Sequence, residues 1–398
     1  MSNRTIVSMP GDGIGRVVLD GAIKVLEKAG FSANYVEADI GWEFWCKEGN
    51  PLPKRTLDLI KKHKIGLFGA ITSKPKDEAF DELSPDLKDK GLVYSSPIVG
   101  LRQHFGLDIC LRPCRTYKGN PLNFIRRGPN NTIEEPQIDV AIFRQNTEGL
   151  YGGVEWSNPP NNVYDALMSH PKFNKNFGST PVEEISVSTR IFTKKYTERI
   201  LRAAFEHAKK YGYKSVTVCE KPNVIRETSG MMYKMAQQIQ KETYSDIELW
   251  NTNIDAQMMW LTKNPENYGV IVAGNMFGDI VSDGFAGLIG GLGFATSAQY
   301  NPESGIGVFE PTHGSAPKYA DYETSIVNPI AMIETSCMML DFIDEQTIAK
   351  KIRNAVSKVI QEAKVQTYDM AKMAGQADVI EKGAASTIQM TQAIIDKL

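Results

Sequence analysis

The sequence predicts an α/β fold with a largely parallel sheet core. Short apolar runs of strand length recur along the chain, and helical patterns that stop at glycine lie between several of them. The length, 398 residues with 42% hydrophobic and 23% charged content, suits a globular enzyme of two packed domains. In chain order the strand candidates are Ile6–Met9, Ile65–Phe68, Val140–Arg144, Ser215–Cys219 and Gly269–Ala273. Val17–Ala29 carries apolar residues at helical spacing and stops at Gly30, a C-terminal signal. Lys194–Tyr211 repeats the pattern and stops at Gly212, and Thr347–Val365 is a third such helix. Two stretches break the rhythm. Lys74–Gly91, charged and punctuated by Pro75 and Pro85, reads as a mobile surface excursion; Trp156–Pro181, rich in Asn and Pro, reads as an inserted arm. No Ser/Gly-rich linker divides the chain, so its domains can be discontinuous.

The gross charge narrows the function classes. A net charge of −2 argues against a general nucleic-acid binder. No apolar run reaches membrane-spanning length. Met1-Ser2-Asn3-Arg4 leads directly into a strand pattern, which is read as no signal peptide. Five cysteines without CxxC spacing read as reduced thiols in a cytoplasmic protein, with Cys110 and Cys114 assigned to packing rather than to a metal.

The stretch with the most chemistry is Gly274-Asn275-Met276-Phe277-Gly278-Asp279-Ile280-Val281-Ser282-Asp283-Gly284, after an apolar run. If the chain turns helical at Gly278, Asp279 and Asp283 project from one face, where two carboxylates repel unless a cation lies between them. Oxygen-only ligands suit Mg²⁺ or Mn²⁺. The plainer reading, acidic residues favouring a helix start, carries equal weight on spacing alone. Gly11-Asp12-Gly13-Ile14-Gly15 lacks the spacing of a dinucleotide fingerprint and reads as a tight strand-to-helix turn. Glu310-Pro311-Thr312-His313-Gly314-Ser315-Ala316-Pro317-Lys318-Tyr319 sets a histidine among small residues that admit a ligand close to backbone. Arg102, Arg112 and Arg144 each follow or neighbour a large apolar residue. If they converge they can grip a di- or tricarboxylate; if not, they are three separate ion pairs.

Taken together these motifs resemble, nearly end to end, the metal-dependent β-decarboxylating dehydrogenases of the isocitrate/isopropylmalate dehydrogenase family. Leu101-Arg102 with Leu111-Arg112-Pro113 resembles the family's substrate arginines. Phe143-Arg144 to Leu150-Tyr151 resembles its Arg-(six residues)-Tyr segment, and Lys221-Pro222-Asn223-Val224 its catalytic turn. The resemblance implies a non-Rossmann α/β fold with two discontinuous domains. Residues 1–107 with 290–398 would form the large domain, and 108–148 with 194–289 the small one; 149–193 would be a clasp-like dimerisation segment. It implies a homodimer with shared sites, Lys221 and Asp255 of one subunit reaching the other's cleft. Asp255, Asp279 and Asp283 would hold Mg²⁺ or Mn²⁺, Lys221 would deprotonate the substrate hydroxyl, and Tyr151 would protonate the enol carbon, tuned by Arg144 and the metal.

The same resemblance points to isocitrate, with homoisocitrate, isopropylmalate or a related 3-substituted malate as the alternative. Ser96 matches an isocitrate γ-carboxylate contact, whereas Ile98 departs from the Asn usual there. NADP is expected: Lys318-Tyr319 stand where NAD members place Asp-Ile, and Tyr368-(three residues)-Lys372 resembles the NADP members' Tyr-(three residues)-Arg. Thr72, Glu310, His313, Gly314, Ser315, Ala316 and Asn328 complete the implied cofactor set. Two other classes compete. A regulatory subunit would have lost catalytic residues, but Tyr151, Lys221 and the three aspartates are all present; a metal-dependent hydrolase would not need the His313–Tyr319 loop.

Overall fold

The computed structural model describes residues 4–398; the reading made at Met1–Asn3 lies outside the described residues. The chain opens with β1 (Arg4–Gly11), α1 (Gly15–Ala29), β2 (Ala33–Glu37), α2 (Trp42–Glu48), α3 (Lys54–His63) and β3 (Ile65–Ala70). Then come α4 (Lys76–Asp81), α5 (Pro97–Phe105), β4 (Ile109–Arg115), the two-residue pair β5 (Arg126–Arg127) and β6 (Ile133–Glu134), and β7 (Asp139–Gln145). An arm follows, with β8 (Glu155–Ser157), α6 (Asn161–Met168), α7 (Pro171–Phe177) and β9 (Ser186–Ser188). The chain continues through α8 (Lys194–Tyr211), β10 (Ser215–Glu220), α9 (Thr228–Thr243), β11 (Glu248–Asn253), α10 (Ile254–Leu261), β12 (Val270–Ala273) and α11 (Asn275–Leu288). It closes with the hairpin β13 (Thr296–Asn301) and β14 (Ile306–Pro311), then α12 (Pro317–Ala320), α13 (Ile330–Phe342), α14 (Gln346–Glu362) and α15 (Thr387–Ile395).

Ten strands make one sheet in the order β11-β10-β12-β7-β4-β13-β14-β3-β1-β2. It contains two parallel blocks, β2-β1-β3-β14 and β7-β12-β10-β11. The antiparallel contacts β7-β4, β4-β13 and β13-β14 join them, so the blocks run in opposite directions. One large apolar core reaches both blocks, from Ile6 and Leu67 to Ile142 and Ile271, and a second lies beside the β7-β12-β10-β11 block. Under α1, α13, α14 and α15 lie Leu19, Leu26, Ile333, Leu340 and Ile352, all fully buried. Beside the second block, Ile200, Leu201 and Phe205 of α8 pack on Val216, Val218 and Val272. Burying side chains of this size contributes about 1.5–3 kcal/mol each, enough to hold α8 on the sheet.

All five expected strands and all three expected helices are present. The helix carrying Asp279 begins earlier than Gly278, at Asn275, because Gly274 in extended backbone serves as its N-cap. The mobile excursion expected at Lys74–Gly91 is instead a folded cap. Its Ala79, Leu83 and Leu87 are buried against Trp45, and the Trp45 indole donates to the Ala79 carbonyl at 2.7 Å. The charges misled because Ala79, Leu83 and Leu87 supply a buried face of their own beneath them. The expected arm at Trp156–Pro181 is present as two short helices with no buried residue, flanked by the β8–β9 ladder. All five cysteines are free thiols, and Cys110 and Cys114 are buried in the sheet. Among the described residues no helix is long and apolar enough to cross a membrane.

Candidate active site

Chemistry-bearing side chains gather where chain leaves the carboxyl ends of the parallel strands, the usual place for ligands in α/β sheets. The first cluster surrounds the central strands. Arg112 on β4 donates through Nη1 to Asp279 (3.1 Å), Asp283 (3.1 Å) and Ser282 (2.9 Å). Arg144 on β7 also bonds to Asp279, and its Nε donates to Asn275 at 2.9 Å. Asp279 and Asp283 therefore do share one face of α11, directed at the arginines. Gly278 makes this approach possible, since a Cβ there would lie 2.8 Å from the Arg144 side chain. Arg102 on α5 donates to Gln299 at 2.5 Å and to part-buried Glu310 at 3.3 Å. Asn146 reaches the same Gln299 oxygen at 2.9 Å.

The three arginines converge. Burial, with Arg112 and Arg102 adding to it and Asp279 opposing, lowers the Arg144 guanidinium to about 10, so it still carries its charge at neutral pH. Burial raises the Glu310 carboxyl against the pull of Arg102 and Arg112. Burial also raises Asp283, with Asp279 adding to it and Arg112 opposing. Asp279 and Asp283 thus repel across one helical turn while cations offset them, and a divalent ion bound between them would relieve that repulsion.

Tyr151 is half exposed, and the Arg144 guanidinium lies 5.9 Å from its ring centre. Lys221, just past β10, is ion-paired to Asp255 at the start of α10. That pair has no hydrogen bond to the Asp279–Asp283 cluster in the same chain. Among the described residues no group of three His, Cys, Asp or Glu side chains is placed to hold a metal, so one chain brings together two of the three aspartates. Two carboxylates fit a hard divalent ion but leave its protein ligands incomplete.

The second cluster lies beyond β1, β3 and β14. Thr72 Oγ1 is 2.6 Å from Ser315 Oγ, and the Ile14 amide donates to the Ser315 carbonyl at 3.0 Å. The Gly11–Gly15 segment is therefore more than a turn: it docks on the 312–316 loop. Gly13, with φ of 53°, lies so close that a Cβ would sit 2.1 Å from the Ser315 oxygen. Between these glycines the Asp12 carboxylate accepts from the Trp42 amide (2.7 Å) and the Thr72 amide (2.8 Å). The sequence reading passed over Asp12; its position between two glycines after a strand was the available signal. Ala316 adopts left-handed backbone, φ 41°, a conformation that costs a non-glycine residue about 1 kcal/mol or more. Gly314 is exposed beside it. His313 Nδ1 lies 3.1 Å from the Gly314 oxygen, its buried Nε2 has no partner, and burial lowers its pKa so that the ring stays neutral.

Lys318 and Lys372 are exposed, and the tyrosines beside them meet: the Tyr319 and Tyr368 ring centres are 5.5 Å apart. The Lys318 ammonium lies 5.5 Å over the Tyr319 ring. Asn328 donates to Asp369 at 3.0 Å, next to Tyr368. Ser96 precedes α5, half-buried, its side chain making no cap bond. Ile98 is buried among Met9, Phe68 and Leu101, whereas Val99 is 42% exposed. Val99 lies three residues before Arg102 and three after Ser96, so Ser96, Val99 and Arg102 lie along one side of α5.

A sequence profile described as isocitrate/isopropylmalate dehydrogenase matches residues 5–394. Protein DlpA of Legionella pneumophila is 38% identical over 98% of this chain, which spans 58% of that protein's length. The 3-isopropylmalate dehydrogenase of Archaeoglobus fulgidus is 36% identical, covering 91% of this chain and 93% of its own. A crystal structure of isocitrate dehydrogenase from Methylococcus capsulatus superposes with a TM-score of 0.79 at 33% identity, covering 99% of both chains.

Proposed function

Because the chain belongs to the isocitrate/isopropylmalate dehydrogenase family, whose members are decarboxylating dehydrogenases, we propose that it oxidises and decarboxylates isocitrate with NADP and Mg²⁺ or Mn²⁺. The observation that carries this reading is the gathering of three arginines beside paired carboxylates: Arg112 bonds Asp279 and Asp283, Arg144 bonds Asp279, and Arg102, held by Gln299 and Glu310, lies close enough to act on Arg144. A cation between the aspartates would release the guanidinium groups for the carboxylates of a hydroxy-di- or tricarboxylate.

The steps assigned to this chain's residues are proton transfers and orientation. Arg102, Arg112 and Arg144 hold the substrate carboxylates. Lys221 takes the proton from the C2 hydroxyl, and a nicotinamide bound beside C2 would accept the hydride. The β-carboxylate then departs as CO₂, and the bond electrons pass to C3 as an enolate. Tyr151, held beside Arg144, gives its proton to C3. When bound, the divalent ion supplies Lewis acidity that favours the alkoxide and the enolate. Lys221 and Asp255 are ascribed to the neighbouring subunit's cleft, giving a homodimer with two shared sites. Exposed Met259, Trp260 and Ile280 on α10 and α11 support such an interface. The two-domain division, with 149–193 as the dimer clasp, is supported by the opposed directions of the two strand blocks.

The unbonded Ser96 hydroxyl supports isocitrate, because it can donate to a γ-carboxylate in a charge-assisted bond of about 1.5–3 kcal/mol. Ser96→Leu is then expected to reduce kcat/KM for isocitrate by about ten- to a hundredfold, and to reduce it less for isopropylmalate. Val99 favours a second reading, since an exposed valine on that side of α5 suits an alkyl substituent. Relatives named as isopropylmalate, homoisocitrate and isocitrate dehydrogenases accord with either. A nicotinamide absorbance assay across a panel of 3-substituted malates decides between them, and a wild type that prefers isopropylmalate rejects isocitrate.

NADP is favoured over NAD by the Lys318–Tyr319 and Tyr368–Lys372 patch, which offers cations and hydroxyls to a 2′-phosphate. The partnerless His313 Nε2 supports an adenine amino group as its donor. Lys318→Asp combined with Tyr319→Ile should reverse the preference, because one charge is removed and a repulsive one added. Comparable wild-type kcat/KM values for NAD and NADP would defeat this assignment.

A further inference from the structure

Glu220, the last residue of β10, is a fully buried carboxylate with no part in the chemistry above. One oxygen accepts from the Gly274 amide at 2.8 Å, at the N-cap of α11. The other accepts from Ser229 Oγ at 2.5 Å and from Arg190 Nη2 at 2.7 Å. Arg190 stands at the end of the arm. Its Nη1 donates to Thr228 and Ser229, each at 2.9 Å. Its guanidinium lies 4.5 Å from the Phe192 ring centre and 4.9 Å from that of Phe277, which is on α11. An ion pair whose carboxylate is wholly buried fixes geometry strongly, because that carboxylate has no water to turn to if a partner leaves. Here it ties together three segments: the chain just past the arm's return strand β9, the residue before Lys221, and the start of the helix bearing Asp279 and Asp283.

We infer that Arg190 and Glu220 are positioning residues that set Lys221 and α11 relative to each other and couple the arm to the active site. Neither touches the reacting atoms. The gain is register: Lys221 and α11 leave adjacent parallel strands, β10 and β12, and the Glu220–Gly274 bond pins those two exits together. Arg190 neutralises the carboxylate that makes that bond. The inference rests on the roles proposed for Lys221, Asp279 and Asp283.

The test uses the full-length protein with Arg190→Met, which retains apolar bulk between the two phenylalanines, and Arg190→Lys, which retains charge. Mn²⁺ binding is read by calorimetry without substrate, NADPH binding by fluorescence, and kcat and KM by absorbance. Arg190→Met is expected to weaken Mn²⁺ binding and lower kcat by about ten- to a hundredfold, as loss of an outer-shell support does. NADPH affinity and substrate KM should stay within about threefold, and Arg190→Lys should recover part of the loss. Wild-type kcat and Mn²⁺ affinity in Arg190→Met overturn the inference, and so does a parallel loss of NADPH binding, which marks general damage. If Arg190→Met does not fold, Glu220→Gln, which can still accept from Gly274, is judged by the same outcomes. Lys221→Met and Asp283→Asn are run alongside. If they retain activity, the site reading fails and the inference falls with it; if they lose it while Arg190→Met does not, only the positioning role is rejected.

Discussion

Asp283→Asn and Lys221→Met should each be nearly inactive alone, yet a mixture refolded or exchanged together should recover activity. Removing a general base costs about 10²- to 10⁴-fold in turnover, so Lys221→Met falls far below wild type. Asp283→Asn should lose turnover at limiting Mg²⁺ through weaker ion binding. Its fold should survive, because Arg112 keeps its bonds to Asp279 and Ser282. If Lys221 serves the partner's aspartates, a mixed dimer carries both lesions in one site and none in the other. Random pairing makes half the dimers mixed, so activity should return to roughly a quarter of wild type. Recovery of nothing, with dimers shown to exchange, would place Lys221 and Asp283 in the same chain's site. Full activity of Asp283→Asn at limiting Mg²⁺ would remove Asp283 from the ligand set.

Tyr151→Phe should separate the two chemical halves of the reaction. The variant lacks only the hydroxyl, and the ring remains beside Arg144. Overall turnover should drop about 10²- to 10⁴-fold, because protonation of the enol carbon loses its donor. Reduction of a supplied β-keto acid should be damaged less, since that half runs through Lys221 and the nicotinamide. Lys221→Met should show the opposite pattern, with the keto-acid reduction lost most. Equal damage to both partial reactions in both variants would mean that the roles are not divided between these side chains.

Much of this site was legible from residue type and spacing. Asp279 and Asp283 four apart after an apolar run were read as one helical face, and α11 turns both toward Arg112. That spacing is a local property of the helix, so it survived a shift of the helix start from Gly278 to Asn275. Strand cores such as Val140–Arg144 and helices such as Lys194–Tyr211 were legible for the same reason: hydrophobic period and glycine stops are written within a dozen residues.

Sequence by itself determined the α/β class, the helical pairing of the aspartates and the set of residue types able to do the chemistry, because each depends on neighbours along the chain. It could not determine that Arg102, Arg112 and Arg144 meet, since they come from α5, β4 and β7 and converge only when the opposed strand blocks are joined. Nor could it show that the charged 74–91 stretch covers Trp45, that Asp12 clamps Trp42 to Thr72, or that Arg190 and Glu220 bind the arm to Gly274. Those contacts join residues roughly thirty to sixty positions apart, where local propensity carries no information. A buried charge is stable only beside the partner that tertiary packing brings to it. For that reason the polar residues the sequence reading missed, Asp12, Gln299 and Glu220, are ones whose meaning lies wholly in what the fold sets against them.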